Sequence, residues 1–360
     1  MKKILIITKA FYPNLSPRAF RSTELALEFE RKGYDVTVYI LNTESKELIE
    51  FKQNTNIQIE NIGYTFFKPI SSDHFFYRVL RRVLKLVFEY PDIELIWKIF
   101  KKFKKVKGYD LTVTIASPHT IHWGMAAVLS INKKLTKTWV ADCGDPYFGC
   151  ETDTFKKLFY FKYVEKFWNK KCNYITVPID SAIEAYFEEY RHKIKVIPQG
   201  FKFDFSILKP YKKNKIPTFA YSGDLNKIRN PTAFLDFVST LDVDFRFILY
   251  TDAEIVVPYK TILKEKLEIR KFTERNEFLP ILSQMDFLVN FENPTSKQVP
   301  SKLIDYAFVN RPVLSVGKNI NEQLILNFLN GNYDGKMHLP DLKNYDISKI
   351  ANDFIELTNN

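Results

Sequence analysis

The sequence predicts an α/β protein of two Rossmann-like domains facing across a cleft. Three observations carry this. Apolar, β-branched runs of strand length alternate with helix-like segments along the chain, the pattern of parallel strands covered by helices on both faces. The alternation breaks at a polar stretch, KFDFSILKPYKKNKIP (202–217), and then restarts. The 360 residues also exceed the usual size of one core.

The first series opens with the strand KILII (3–7), a helix from Arg18 to Lys32 closed by Gly33, and the strand DVTVYI (35–40). Basic residues in the last helical turn and a glycine just past it are the normal stop signals. Strands follow at LTVTIAS (111–117), KTWVAD (137–142), NYITVP (173–178) and IKVIPQG (194–200). The second series reads TFAYSG (218–223), FRFILY (245–250), DFLVNF (286–291) and PVLSV (312–316). ISKIANDFIEL (347–357) reads as a terminal helix. The expected divisions are therefore 1–203, 204–346 and 347–360. No short fixed period is present, which excludes a solenoid. In open parallel sheets ligands sit beyond the carboxyl ends of the strands, so candidate residues should follow strands in both halves.

Composition narrows the chemistry. Lys and Arg total 53 against 42 Asp and Glu, a net charge of +11 that suits contact with phosphates of a nucleotide, a nucleic acid or an anionic membrane. No run of about 18 apolar residues occurs and the N-terminus does not read as a signal peptide, so a cytoplasmic protein is expected. Cys143, Cys150 and Cys172 are odd in number and lack paired metal-ligand spacing; buried or incidental thiols are expected, with neither disulfides nor a metal site.

The most biased segment is 74–107, HFFYRVLRRVLKLVFEYPDIELIWKIFKKFKKVK. Phe75, Phe76, Val79, Leu80, Val83 and Val87 recur at helical spacing, with Arg78, Arg81, Arg82 and Lys85 opposite them. This composition suits a helix lying on an anionic membrane surface. The competing reading is an amphipathic helix pair covering the sheet with a solvated basic face. No nucleic-acid-binding module fits, and no nucleic-acid partner is expected.

Glycine is scarce, 11 of 360, and neither G-x-G-x-x-G nor a P-loop is present, so phosphate must be held by side chains and helix N-termini. Strand ends supply candidates: the first loop, TKAFYPNLSPRAFR, carries Arg18; SPHTIHW carries His119 and His122; DCGDPY carries Asp142 and Asp145; GDLNKIR carries Gly223, Lys227 and Arg229. A hydrogen-bonded structural histidine and a turn-forming Asp-Pro remain open readings for these positions. In VPSKLIDYAFVNRPVL (299–314), Pro300 halts the loop, Ser301 caps a helix running to Val309, and Asn310 and Pro312 end it. Free N–H groups at its start, with Lys302, make an anion seat; Asp305, one turn on, is placed to accept hydrogen bonds from sugar hydroxyls. A nucleoside diphosphate has both groups at that separation. Asp242-Val243-Asp244 precedes a strand instead of following one and reads as a turn, not a metal-binding D-x-D site.

Taken in order, KILIITKAFYP, RAFRSTELALEFERKGYDVTV, PDIELIW, IASPHTIHWGMAA, WVADCGDPY, VIPQGF, YSGDLNKIRNP and PSKLIDYAFVNRPVLSV resemble the GT-B glycosyltransferases, specifically the family-4 retaining enzymes of bacterial surface polysaccharide synthesis. The resemblance implies transfer of a sugar, with retention, from a UDP- or GDP-sugar to a lipid-linked glycan acceptor in capsule, O-antigen, lipopolysaccharide or exopolysaccharide assembly. It implies no metal and no cofactor, an acceptor-binding first domain, a donor-binding second, and a C-terminal helix, 347–360, crossing back to pack on the first domain. By it, Arg229 meets the donor diphosphate together with Gly223, Pro300, Ser301 and Lys302, Asp305 binds ribose, His122 and His119 lie near the donor sugar, and Asp145 lies on the acceptor side. Arg18 and Asp142 are candidates for the acceptor or diphosphate loop. Two departures stand out: Lys297 occupies the position where the family's E-x7-E motif begins with an acid, and Asp224 stands next to Gly223 where many members carry a basic residue. A nucleotide-sugar epimerase of the same fold and a non-catalytic sugar-nucleotide-binding protein are the competing functions.

Overall fold

The structure is a computed structural model; it describes residues 2–359 apart from 15, 42–44, 64, 65, 68–73, 150–155, 227, 228, 272, 274 and 293–300, and the side chain of Ser301 is likewise outside the description. The chain forms two compact units, Met1–Lys202 with Asn344–Asn360, and Phe203–Lys343.

The first unit is a seven-stranded parallel sheet in the order β3-β2-β1-β4-β5-β6-β7. Its strands are β1 (Lys3–Thr8), β2 (Asp35–Ile40), β3 (Gln58–Asn61), β4 (Tyr109–Ile115), β5 (Thr136–Asp142), β6 (Tyr174–Val177) and β7 (Ile194–Val196). Its helices are α1 (Pro17–Arg31), α2 (Lys46–Asn54), α3 (Phe75–Phe88), α4 (Glu94–Phe103), α5 (Thr120–Ile131) and α6 (Phe161–Lys171), with the C-terminal Ile347–Glu356. Ser16 caps α1 through a bond from the Ala19 amide, and Gly33 closes it at φ 83°, a left-handed position that favours glycine. The two faces of the sheet carry separate cores, one under α4, α5 and α6, the other under α1 and the terminal helix, where Phe354 packs edge-on against Phe29.

The basic segment divides in two. In α4, Leu95, Ile99 and Phe103 are buried, and the helix packs so tightly on α5 that a side chain at Gly124 would press on Ile96 and Ile99. This half is ordinary sheet cover. By contrast, α3 buries none of its residues: Phe75 and Phe76 are 71% and 65% exposed, and Arg78, Arg81, Arg82 and Lys85 are exposed as well. It is held at its C-terminal end, where Tyr160 donates to the Val87 carbonyl and the Glu89 carboxylate accepts from Tyr147 Oη and Lys157 Nζ, each at 2.8 Å.

The second unit is a five-stranded parallel sheet in the order β10-β9-β8-β11-β12. The strands are β8 (Thr218–Ser222), β9 (Arg246–Tyr250), β10 (Leu267–Arg270), β11 (Phe287–Phe291) and β12 (Val313–Val316). The helices are α7 (Thr232–Ser239), α8 (Val257–Leu263), α9 (Arg275–Leu282), α10 (Ser301–Val309) and α11 (Glu322–Leu329), making the terminal Ile347–Glu356 helix α12. Phe219 stands at the centre of the core on one face, stacked on Phe247 at 4.6 Å and Phe287 at 4.4 Å between ring centroids. Asp242–Asp244 form the turn between α7 and β9. The strand order reverses between β8 and β11, which makes the carboxyl ends of these two strands the switch point where such sheets bind ligands.

Candidate functional site

At the second unit's switch point, the loop after β8 meets the first turn of α10. Gly223 leaves β8 at φ 145°, and a Cβ there would come within 2.9 Å of the Tyr221 hydroxyl, so the turn requires glycine. The Tyr221 hydroxyl donates to the Asp224 carbonyl at 3.1 Å, and the Arg229 amide bonds the Asn226 side chain at 3.1 Å, which folds the loop back on itself. Tyr306, fully buried on α10, accepts from the Ser222 amide and donates to the Val289 carbonyl, locking α10 to β8 and β11 together.

This anchoring sets Lys302 over the ring of Tyr221, its Nζ 4.3 Å from the centroid. The Nζ is shielded from solvent and has no hydrogen-bond partner among the described residues. Burial, helped by the nearby Arg229 guanidinium, pushes its pKa down to about 7. One turn on, Asp305 accepts from Arg275 Nε at 2.8 Å; burial raises the carboxyl pKa and Arg275 partly offsets that. The loop and helix thus bring Gly223, Arg229, Lys302 and Asp305 to one end of the sheet. Lys297 and Pro300 lie outside the described residues, as do Lys227 and the Ser301 side chain. Arg275, on α9, and Glu292, at the end of β11 with Ser315 Oγ bonded at 2.8 Å, are polar groups of this region that the sequence did not single out.

The first unit's candidates form a second cluster at the ends of β4 and β5. Asp142 is buried and fully engaged. Arg21 grips both its oxygens at 2.8 and 3.2 Å, Arg18 adds a contact at 3.3 Å and Thr176 Oγ1 donates at 2.7 Å. Burial works against its charge, but the two guanidinium groups outweigh it and hold the carboxyl below the usual range. Asp142 is therefore the centre of a buried ion-pair network rather than a loop residue open to a ligand. Arg21, the partner the sequence did not flag, also reaches the Ile197 carbonyl at 3.2 Å. Arg18 is half-exposed and lies across Gly144, where a Cβ would overlap its guanidinium. Asp145 is exposed.

His122 is wholly enclosed, at 0% exposure, beside Trp168. Trp139 Nε1 donates to Thr114 Oγ1, whose hydroxyl then faces His122 Nδ1 at 2.8 Å; on the other side His122 Nε2 meets Cys143 Sγ at 3.4 Å. Burial drives its pKa to about 3, so the ring is neutral. His119 also has its pKa driven well down, by burial first and then by His122. One of its ring nitrogens bonds the Asp145 backbone, while Nε2 faces inward with no partner among the described residues.

No family model matches the chain, and no curated protein is detectably similar to it. Solved structures are similar over the whole length. A glycosyltransferase from Rickettsia africae superposes with a TM-score of 0.63 at 12% identity, over 99% of this chain and 98% of that one. Anabaena HepE in complex with UDP gives 0.60 at 10% identity, over 99% of each. A variant of S. aureus TarM, in complex with UDP and other ligands, gives 0.53 at 12%, over 100% and 93%. Two parallel sheets in this order, matched end to end by these enzymes, give the chain the GT-B fold.

Proposed function

We propose that this chain is a glycosyltransferase that moves a sugar from a nucleotide-diphosphate donor, with the second unit holding the nucleotide. The observation that carries the reading is Lys302: a desolvated amine without a hydrogen-bond partner among the described residues, beside Arg229, at the first turn of a helix on the switch point of the sheet. Holding a desolvated ammonium beside the partly exposed Arg229 guanidinium is costly unless an anion joins them. A diphosphate supplies that anion, and the α10 amides add their dipole. Asp305, held by Arg275, takes the ribose hydroxyls. In transfer, Arg229, Lys302 and the helix end stabilise the charge that grows on the departing diphosphate, without a metal in the step.

HepE was solved with UDP and with UDP-glucose, and the TarM variant with UDP and a GlcNAc-glycerol. These neighbours favour a UDP-sugar donor over a GDP-sugar and a glycan as acceptor. Retention of configuration follows from the resemblance to the family-4 enzymes. In the first unit, Asp145 and Arg18 are the groups we assign to the acceptor. The enclosed His122 and inward-facing His119 shape the loop that carries Asp145.

A lipid-linked acceptor at a membrane fits α3. An exposed helix with Phe75, Phe76, Val79 and Val83 uncovered, four basic residues and no acidic one suits the interface of an anionic bilayer. Among the described residues no helix is long and apolar enough to cross a membrane. Incubation with a panel of nucleotide sugars and lipid-linked glycans, read by mass spectrometry, tests the function. A glycosylated acceptor supports it. An isomerised sugar nucleotide formed without acceptor, or binding without turnover on any acceptor, would sink it.

A further inference from the structure

His119, His122 and Cys143 have their potential ligand atoms within 4.8 Å of one another. We propose that His119 Nε2, His122 Nε2 and Cys143 Sγ form a binding site for one zinc-type transition-metal ion. The inference is independent of the transferase reading.

The His122–Cys143 edge of the cluster fits a tetrahedral ion. With metal–nitrogen and metal–sulfur bonds of about 2.0 and 2.3 Å, a tetrahedral N-to-S edge spans about 3.5 Å. The His122 Nε2 to Cys143 Sγ distance is 3.4 Å. Each imidazole also has the outer partner that a metal-bound histidine uses to fix its ring. His119 gives its other nitrogen to the Asp145 backbone, and His122 turns Nδ1 toward Thr114 Oγ1 at 2.8 Å.

A plain thiol–imidazole contact in the core explains His122 and Cys143 but not His119. With its other nitrogen bonded to the Asp145 carbonyl, Nε2 bears a lone pair that points into the protein and meets no donor among the described residues. Such an acceptor is costly to bury, and a cation shared with the thiol satisfies it. The remaining neighbours leave the site to the ion: Tyr147 and Trp168 are ring contacts, and the Asp142 carboxylate is taken by Arg21 and Arg18.

On binding, the Cys143 S–H bond breaks, the sulfur bonds the metal, and the proton leaves to solvent, so one proton is released per ion. The metal then pins the start of α5 to the loop that carries Asp145.

The test uses the full chain, dialysed against chelator and titrated with Co2+ and then Zn2+. One Co2+ per chain is expected, with a thiolate-to-cobalt charge-transfer band, release of one proton and displacement by Zn2+. Cys143→Ser should abolish the band, while Cys150→Ser and Cys172→Ser retain it. His119→Gln, a substitution at a partly exposed residue, should weaken Co2+ binding at least 10-fold and guards against a Cys143 variant that fails to fold. Absence of the band in the wild type, its persistence in Cys143→Ser, or unchanged affinity in His119→Gln would overturn the proposal.

Discussion

Replacing Lys302 by methionine separates the proposed role of this residue from a structural one. Methionine keeps the apolar stem over Tyr221 and removes the buried amine. In the folded chain Lys302 titrates at about 7, against 10.5 for an ordinary lysine, so the unfolded chain binds the proton more tightly. At 1.36 kcal/mol per tenfold change in proton affinity, this difference costs the native state up to about 4 kcal/mol at pH 7. Because the unfolded state holds more protons between pH 7 and 10.5, wild-type stability should rise with pH across that window, and the advantage of Lys302→Met should shrink with it. Differential scanning calorimetry at pH 7 should therefore show a variant more stable by several degrees. UDP binding should move the opposite way. The anion holds Lys302 protonated, so wild-type affinity should fall about 50-fold from pH 7 to 9 as the free amine loses its proton, and the variant should bind weakly with no such slope. A variant less stable at pH 7, or one that binds UDP as the wild type does, would refute the reasoning.

Asp305→Asn keeps the shape but loses the carboxylate that Arg275 orients; isothermal titration should show UDP affinity reduced about 10- to 100-fold, in line with a hydrogen bond to a charged group. Asp142→Asn leaves Arg21 buried without its counter-charge and should destabilise the chain by about 3 to 5 kcal/mol at neutral pH in denaturant unfolding. Since the folded pKa of Asp142 is depressed, that contribution is present above the ordinary carboxylate range and lost as pH falls through the folded value, so wild type and variant should converge in acid. Changing Arg78, Arg81 and Arg82 together to Glu should abolish co-sedimentation with phosphatidylserine vesicles while circular dichroism shows the fold retained, because all three side chains are exposed. Wild-type protein that fails to sediment with those vesicles would remove the membrane proposal.

The strand cores were legible because strands buried on both faces read as continuous apolar runs. Of the four edge strands, β7 and β12 were read from their apolar residues, but QIEN (58–61) and LEIR (267–270) were not, since in these two polar and charged residues interrupt the apolar ones and the run resembles a loop. Helix α10, with its left-handed Asn310 end at φ 51°, could be drawn from cap chemistry alone. The depth of Lys302 could not, because the ring that covers it belongs to Tyr221, far upstream. Asp142 looked like an open loop residue because the arginines that enclose it are more than 120 positions away. Cys143 lies 21 residues beyond His122, outside any recognised ligand spacing, so only the fold joins them. In the basic segment, α3 and α4 share a composition but differ in burial, which depends on what each packs against.

The central claim, that the second unit seats a nucleoside diphosphate, is tested most directly by calorimetric titration of UDP and GDP into the wild type, Arg229→Ala and Asp305→Ala. The account predicts saturable wild-type binding at one site, stronger for UDP, with both variants at least 10-fold weaker. No heat with either nucleotide in the wild type, or equal affinity in all three proteins, would contradict it.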